Sequence, residues 1–184
     1  MPDAENQKLE LKALHERHTG LTPSLGGVFY EAASVCLSRH HESPVEFEVH
    51  RNNETTKRVA EFEKPNETTL NAHANEIDAT EAGAYCVCLA AVEVEENLIA
   101  VKRAETLTGA DWYVAPAGAT VEDLEDWFRL EVSGSDSGNR STIKTRLLEK
   151  VNQTRKGASN LPAIASVVGF KEKQVAIQRV QENS

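Results

Sequence analysis

The sequence predicts an α/β chain built on a mixed β-sheet flanked by helices. Three observations lead there. From residue 78 onward the apolar pattern reads helix, strand, strand, strand, helix, strand. Short strands in succession, then a strand reached across a helix, imply a mixed sheet with helices on both faces. The composition, 40% apolar and 27% charged over 184 residues, is that of a globular domain large enough to bury a core without a disulfide or metal staple.

Residues 1–23 form a polar N-terminal segment. It contains a short amphipathic stretch at Leu9, Leu11 and Leu14, with Gly20 and Pro23 as breakers. A helix is expected from Ser24, which can cap it, to His41, with Val28, Phe29, Ala32, Val35, Cys36 and Leu37 at helical spacing. Val45, Phe47 and Val49 alternate with polar residues and predict a half-buried strand. Residues 51–76 are polar and predict a loop with one short helix or strand. Together 24–77 form a helix-and-strand extension packed on the core of 78–184.

In that core, Asp78 or Thr80 can cap an Ala- and Cys-rich helix ending near Glu93. Strands follow at 98–104 and 110–115, the second entered through Gly109. The acidic stretch 119–127 reads as a turn of helix capped by Thr120. Phe128, Leu130 and Val132 mark one face of a third strand, and GSDSG at 134–138 a flexible loop. Residues 141–156 predict an amphipathic helix with Ile143, Leu147 and Val151 inward. Residues 162–168 read as a buried strand, and a terminal helix or strand closes the chain.

Net charge is -9 and the pI about 5.2, which excludes a protein that coats nucleic acid by bulk charge. No apolar run approaches the ~20 residues that span a bilayer, and the opening residues lack a signal peptide's apolar stretch. Cys36, Cys86 and Cys88 cannot form a complete disulfide set, so a reducing compartment is expected and the protein is read as cytoplasmic, with no membrane partner. The N-x-S/T sequons at Asn53, Asn66, Asn139 and Asn152 are then without consequence. His15 and His18 lack companion ligands for zinc, and Cys86 and Cys88 sit in an apolar helix as core thiols.

The informative constellation is Asp111, Glu131 and Ser133. Asp111 opens one strand and Glu131 lies within the next, so pairing of those strands brings both carboxylates to one end of the sheet. Carboxylate oxygens alone suit a hard ion such as Mg²⁺ or Mn²⁺. Glu131 faces away from Leu130 and Val132; the simplest alternative is a half-exposed strand with its polar residues outward. Glu81 stands in the first turn of its helix, where the helix N-terminus favours a carboxylate by ~0.3–1 kcal/mol. Residues 139–158 carry Arg140, Lys144, Arg146, Lys150, Arg155 and Lys156 against Glu149, a local net +5 on an acidic chain, and so offer phosphate contacts.

The helix–three-strand–helix–strand order, with Glu81, GADWYV and RLEVSG, resembles the core of the PD-(D/E)xK nuclease superfamily, whose fold is that of the restriction endonucleases. The words EAASVCL and ATEAGA are also similar to those of uncharacterised bacterial proteins. The superfamily resemblance spans roughly residues 78–170. It implies that Asp111 and Glu131 hold Mg²⁺ or Mn²⁺ with Glu81 assisting, and that Asp111, Glu131, Ser133 and Lys144 make up the catalytic set. Ser133 falls where the family has lysine and carries no charge, so a cation from the following helix, Arg140 or Lys144, would have to serve. Arg140, Lys144, Arg146 and Lys150 would contact DNA. The function so implied is a metal-dependent DNA endonuclease, or a nuclease-like subunit of a bacterial defence, restriction or repair system, acting as a homodimer. The alternative is an inactive module of the same fold that binds a protein or nucleic acid partner, as an immunity protein, antitoxin or structural subunit does.

Overall fold

An eight-stranded mixed sheet organises the chain, in the order β1-β3-β2-β8-β7-β6-β5-β4. The computed structural model describes residues 8–119, 122, 124–157 and 159–180. The strands are β1 (Lys8–Leu9), β2 (Val45–Arg51), β3 (Glu54–Ala60), β4 (Leu98–Arg103), β5 (Trp112–Pro116), β6 (Phe128–Ser135), β7 (Ala163–Gly169) and β8 (Gln174–Val180). The helices are α1 (Pro23–Ser38), α2 (Glu67–Ala72), α3 (Glu76–Glu96) and α4 (Arg140–Lys156). The order α3-β4-β5-β6-α4-β7 is the one the apolar pattern predicts. No helix among the described residues is long and apolar enough to cross a membrane.

The polar stretch 51–76 holds both a strand and a helix. Asn52, in left-handed backbone at φ 52°, turns β2 tightly back into β3, and Asn66 caps α2 by accepting the Thr69 N–H. Helix starts lie slightly upstream of the residues expected to cap them. Thr22, not Ser24, accepts the Leu25 N–H and places Pro23 at the first position of α1. Asn75 accepts the N–H groups of Ile77 and Asp78, so α3 begins at Glu76 rather than at Asp78 or Thr80. The acidic stretch 119–127 lies partly outside the described residues, Thr120 included; within it Leu124–Asp126 forms a 3-10 turn. The chain closes on a strand, β8.

The described part of the N-terminal segment belongs to the core. Leu9, Leu11, Leu14 and Leu21 are buried, and β1 pairs parallel with β3. His18 and Gly20 cover the exposed edge of β4: the Gly20 N–H donates to the Ala100 carbonyl at 2.8 Å, and the Ala100 N–H donates to His18 Nδ1 at 2.9 Å. Because that ring nitrogen accepts, His18 carries its proton on Nε2, 3.2 Å from Glu93 on α3. Burial raises the Glu93 carboxyl, but its bonds to His18 and Arg17 outweigh that and hold it below its usual value. His18 is therefore a structural residue, and the three cysteines are buried free thiols, with Cys88 pushed up to about 12 by burial.

The two faces of β6 and β7 serve different layers. Leu130, Val132, Ile164 and Val168 join the main core beneath α1 and α3, whereas Val167 packs with Ala176 and Ile143 beneath α4. Small residues let α3 lie close to its neighbours. A Cβ on Gly134 of β6 would come within 2.8 Å of the Thr80 carbonyl oxygen and 2.9 Å of Ala84 Cβ. Gly134→Ala must push α3 from the sheet, and we expect it to cost about 1–3 kcal/mol in urea unfolding, where an overpacked contact of this kind falls. An unchanged midpoint would contradict this close contact.

Candidate active site

Asp111 immediately precedes β5, and its N–H donates to the Leu130 carbonyl at 2.8 Å. Trp112 pairs with Leu130 in the β5–β6 ladder, so continuing the register by one residue sets Asp111 opposite Glu131. Like charges directly across a ladder repel. Glu131 moreover lies on the α4 face of β6, where its side chain is only 4% exposed. It is not the outward polar residue of a half-exposed strand.

Lys150 of α4 answers that buried charge, with its Nζ 2.6 Å from Glu131 Oε1. Burial, then the Asp111 charge, push the Glu131 carboxyl above the usual carboxylate range against the pull of Lys150. Asp111 Oδ2 accepts the Val132 N–H at 2.8 Å. Its other oxygen, Oδ1, meets the Tyr85 hydroxyl of α3 at 2.9 Å, and that hydroxyl is also 3.0 Å from Glu81 Oε1. Arg103, at the end of β4, donates to the same hydroxyl at 3.1 Å and stacks over the rings of Tyr85 and Trp112 at 4.8 and 5.0 Å.

Proton counting makes this cluster electron-rich. Burial and the Asp111 charge raise the Tyr85 phenol far above its ordinary value, so it keeps its one proton. That proton serves two carboxylate oxygens, and at any moment one contact lacks a donor unless a carboxyl supplies its own. Glu81 and Asp111 thus share one hydroxyl proton, and Glu131 stands opposite Asp111 on the neighbouring strand.

Among the described residues no three His, Cys, Asp or Glu side chains converge as a metal-binding group. Glu81 reaches Asp111 through Tyr85 rather than joining a three-carboxylate cluster. Asp111 and Glu131 remain a pair, and two carboxylates fit Mg²⁺, which commonly keeps several waters and takes one or two protein carboxylates.

A cleft of 660 Å³ opens beside the pair, lined among others by Glu81, Asp111, Ser133, Arg146 and Lys150. Ser133 stands two residues from Glu131 on the same strand face. Arg146 donates to the Gly134 carbonyl at 2.7 Å. The other two cations expected here are elsewhere. Lys144 is exposed and lines neither this cleft nor its neighbour, and Arg140 pairs with Glu48 at 3.0 Å and Glu172 at 3.6 Å. Lys150, expected only as a nucleic-acid contact, is the cation at Glu131. Tyr85 and Arg103 were not anticipated; the four-residue spacing from Glu81 to Tyr85 on one helix face is the signal that could have found the first. No protein-family model, curated protein or solved structure matches the chain.

The pair has a pH signature. Above its raised value, ionised Glu131 costs the native state stability; below the ~4.3 of an unfolded glutamate both states are protonated and the cost vanishes. Asp111→Asn removes the neighbouring charge and keeps an acceptor for the Val132 N–H. We expect it to be more stable than wild type by about 1 kcal/mol at pH 7 in the absence of divalent ions. In urea titrations at a series of pH values that gain shrinks to nothing as the pH falls through the Glu131 range. A gain independent of pH, or a loss at pH 7, would contradict the assignment.

Proposed function

We propose that the protein is a divalent-metal-dependent phosphodiesterase that cleaves DNA, with a restriction-endonuclease-like core and its lysine supplied from α4. One observation carries this reading: Lys150 sits on a buried glutamate that faces an aspartate across a strand pair, at the wall of an open cleft. Acid, acid and lysine are the three charges that the PD-(D/E)xK pattern asks for, and only the lysine's place in the chain differs. Ser133 carries no charge, and Lys150 of the following helix serves as the cation in its place.

In this reading Asp111 and Glu131 would hold Mg²⁺ or Mn²⁺, which when bound lowers the pKa of a water and stabilises charge on the phosphate. The residues do the remainder. Lys150 orients the attacking water from beside Glu131 and offsets negative charge as it develops. Asp111 is aimed by the Val132 N–H and by the Tyr85 hydroxyl, itself held by Arg103. Arg146 borders the same cleft and contacts a phosphate of the strand. Action on both strands of a duplex would call for a second copy of the chain.

The test is plasmid nicking in Mg²⁺ or Mn²⁺. Asp111→Ala should be inactive, and Lys150→Ala should lose roughly 10²–10³-fold in rate, the usual loss for a charge-stabilising donor. Adding Ser133→Lys to Lys150→Ala should restore part of that loss, because residue 133 shares the strand face of Glu131. Wild type that neither nicks nor binds the ion, or Lys150→Ala at the wild-type rate, would refute the proposal.

A further inference from the structure

Asp111 borders a second cleft, of 480 Å³, on whose wall Glu131 also lies. Its other polar lining includes Arg103, Gln153 and Lys156. From α4 the first cleft takes Thr142, Arg146 and Lys150, and the second takes Gln153 and Lys156. Positions 142, 146, 150, 153 and 156 recur at three- and four-residue spacing, so one face of α4 runs along both clefts. From 142 to 156 that face is about 21 Å long at ~1.5 Å per residue. The clefts are two halves of a single trough with the carboxylate pair at its middle.

Once internal pairs are set aside, the second half keeps one free cation among the described residues, Lys156. Glu105 is engaged by Lys102 and accepts from the Tyr113 hydroxyl at 2.9 Å. Glu131 is engaged by Lys150. Arg103 is paired with Asp111 at 3.9 Å and stacks on two rings, whereas Lys156 is exposed with no acidic partner among the described residues. On the rim Leu107 is 86% exposed in left-handed backbone, an apolar side chain held out to solvent.

We propose that this second cleft is a strand-binding subsite, so that α4 guides DNA through the whole trough with nucleotides on both sides of the phosphate at Asp111 and Glu131. The ligand is a polynucleotide rather than a mononucleotide, because a monomer would fill one half and leave the other unused. The trough matches roughly six nucleotides of B-form strand at ~3.4 Å each. This inference rests on the phosphodiesterase reading and adds the subsite that holds the strand beyond the scissile phosphate.

A lysine in the last turn of a helix is also favoured by the helix dipole, and Arg155 provides the control. It has the same charge in the same turn but lines neither cleft. Binding of a short fluorescein-labelled DNA duplex, followed by anisotropy in EDTA across a range of salt, separates the two. Lys156→Ala should weaken binding several-fold and lower the slope of log K against log salt by about one, with Arg155→Ala nearer wild type. In Mg²⁺, Lys156→Ala should raise KM for the duplex and leave hydrolysis of bis(p-nitrophenyl) phosphate, too small to reach the second cleft, unchanged. Equal losses for Lys156→Ala and Arg155→Ala, or no loss for either, would overturn the subsite. If wild type still hydrolyses the small diester in that case, the catalytic reading stands alone; if it hydrolyses neither substrate, both fall.

Discussion

Two carboxylates that repel each other, Asp111 and Glu131, are held face to face at the end of a strand pair, and the structure around them is arranged to make that bearable. Burying Glu131 without a counter-charge would cost several kcal/mol, so α4 brings Lys150 to it. Tyr85 and the Val132 N–H hold Asp111, and Arg103 holds Tyr85. The apolar layer beneath α1 and α3 meets this cluster at its border, where Tyr85 bonds Asp111 and Arg103 stacks on Trp112. It packs Trp112, Leu130 and Val132 on the opposite side of the same strands. The main core and the buried Glu131–Lys150 pair therefore lie on two faces of one sheet.

The helix and strand order from residue 78 was legible because apolar periodicity sets it, and the face of Glu131 because side chains alternate along a strand. The cation that meets Glu131 is legible too, from the lengths of β6 and α4. Four residues from Glu131 to the end of β6 rise ~13 Å at ~3.3 Å each, and a helix returning alongside needs about nine residues at ~1.5 Å to come back level. Counted from Arg140 that arrives near Lys150, well past Lys144. Other features were hidden for physical reasons. Lys8–Leu9 is too short to show a strand period, and β3 (ETTKRVA) is mostly polar because one of its faces meets solvent. The caps moved because Thr22 and Asn75, just upstream, compete with Ser24, Asp78 and Thr80 for the same role.

The acidic surface and the local cations are compatible parts of one design. A net charge of -9 opposes indiscriminate contact with phosphates, while Arg146, Lys150, Lys156 and Arg103 line the two clefts that share Asp111. Arg140, by contrast, is used internally, tying the start of α4 to Glu48 on β2. A charge count along the sequence cannot distinguish these two uses of arginine; the tertiary partner decides.

The most direct test of the account is the titration of the Glu131 carboxyl by NMR, with and without Mg²⁺. Without the ion its pKa should lie above that of an ordinary glutamate and fall in Asp111→Asn. Saturating Mg²⁺ should drive it below the ordinary range in wild type and leave it nearly unmoved in the variant. A Glu131 that titrates normally, or that ignores Mg²⁺ in wild type, would contradict a divalent-ion centre at Asp111 and Glu131.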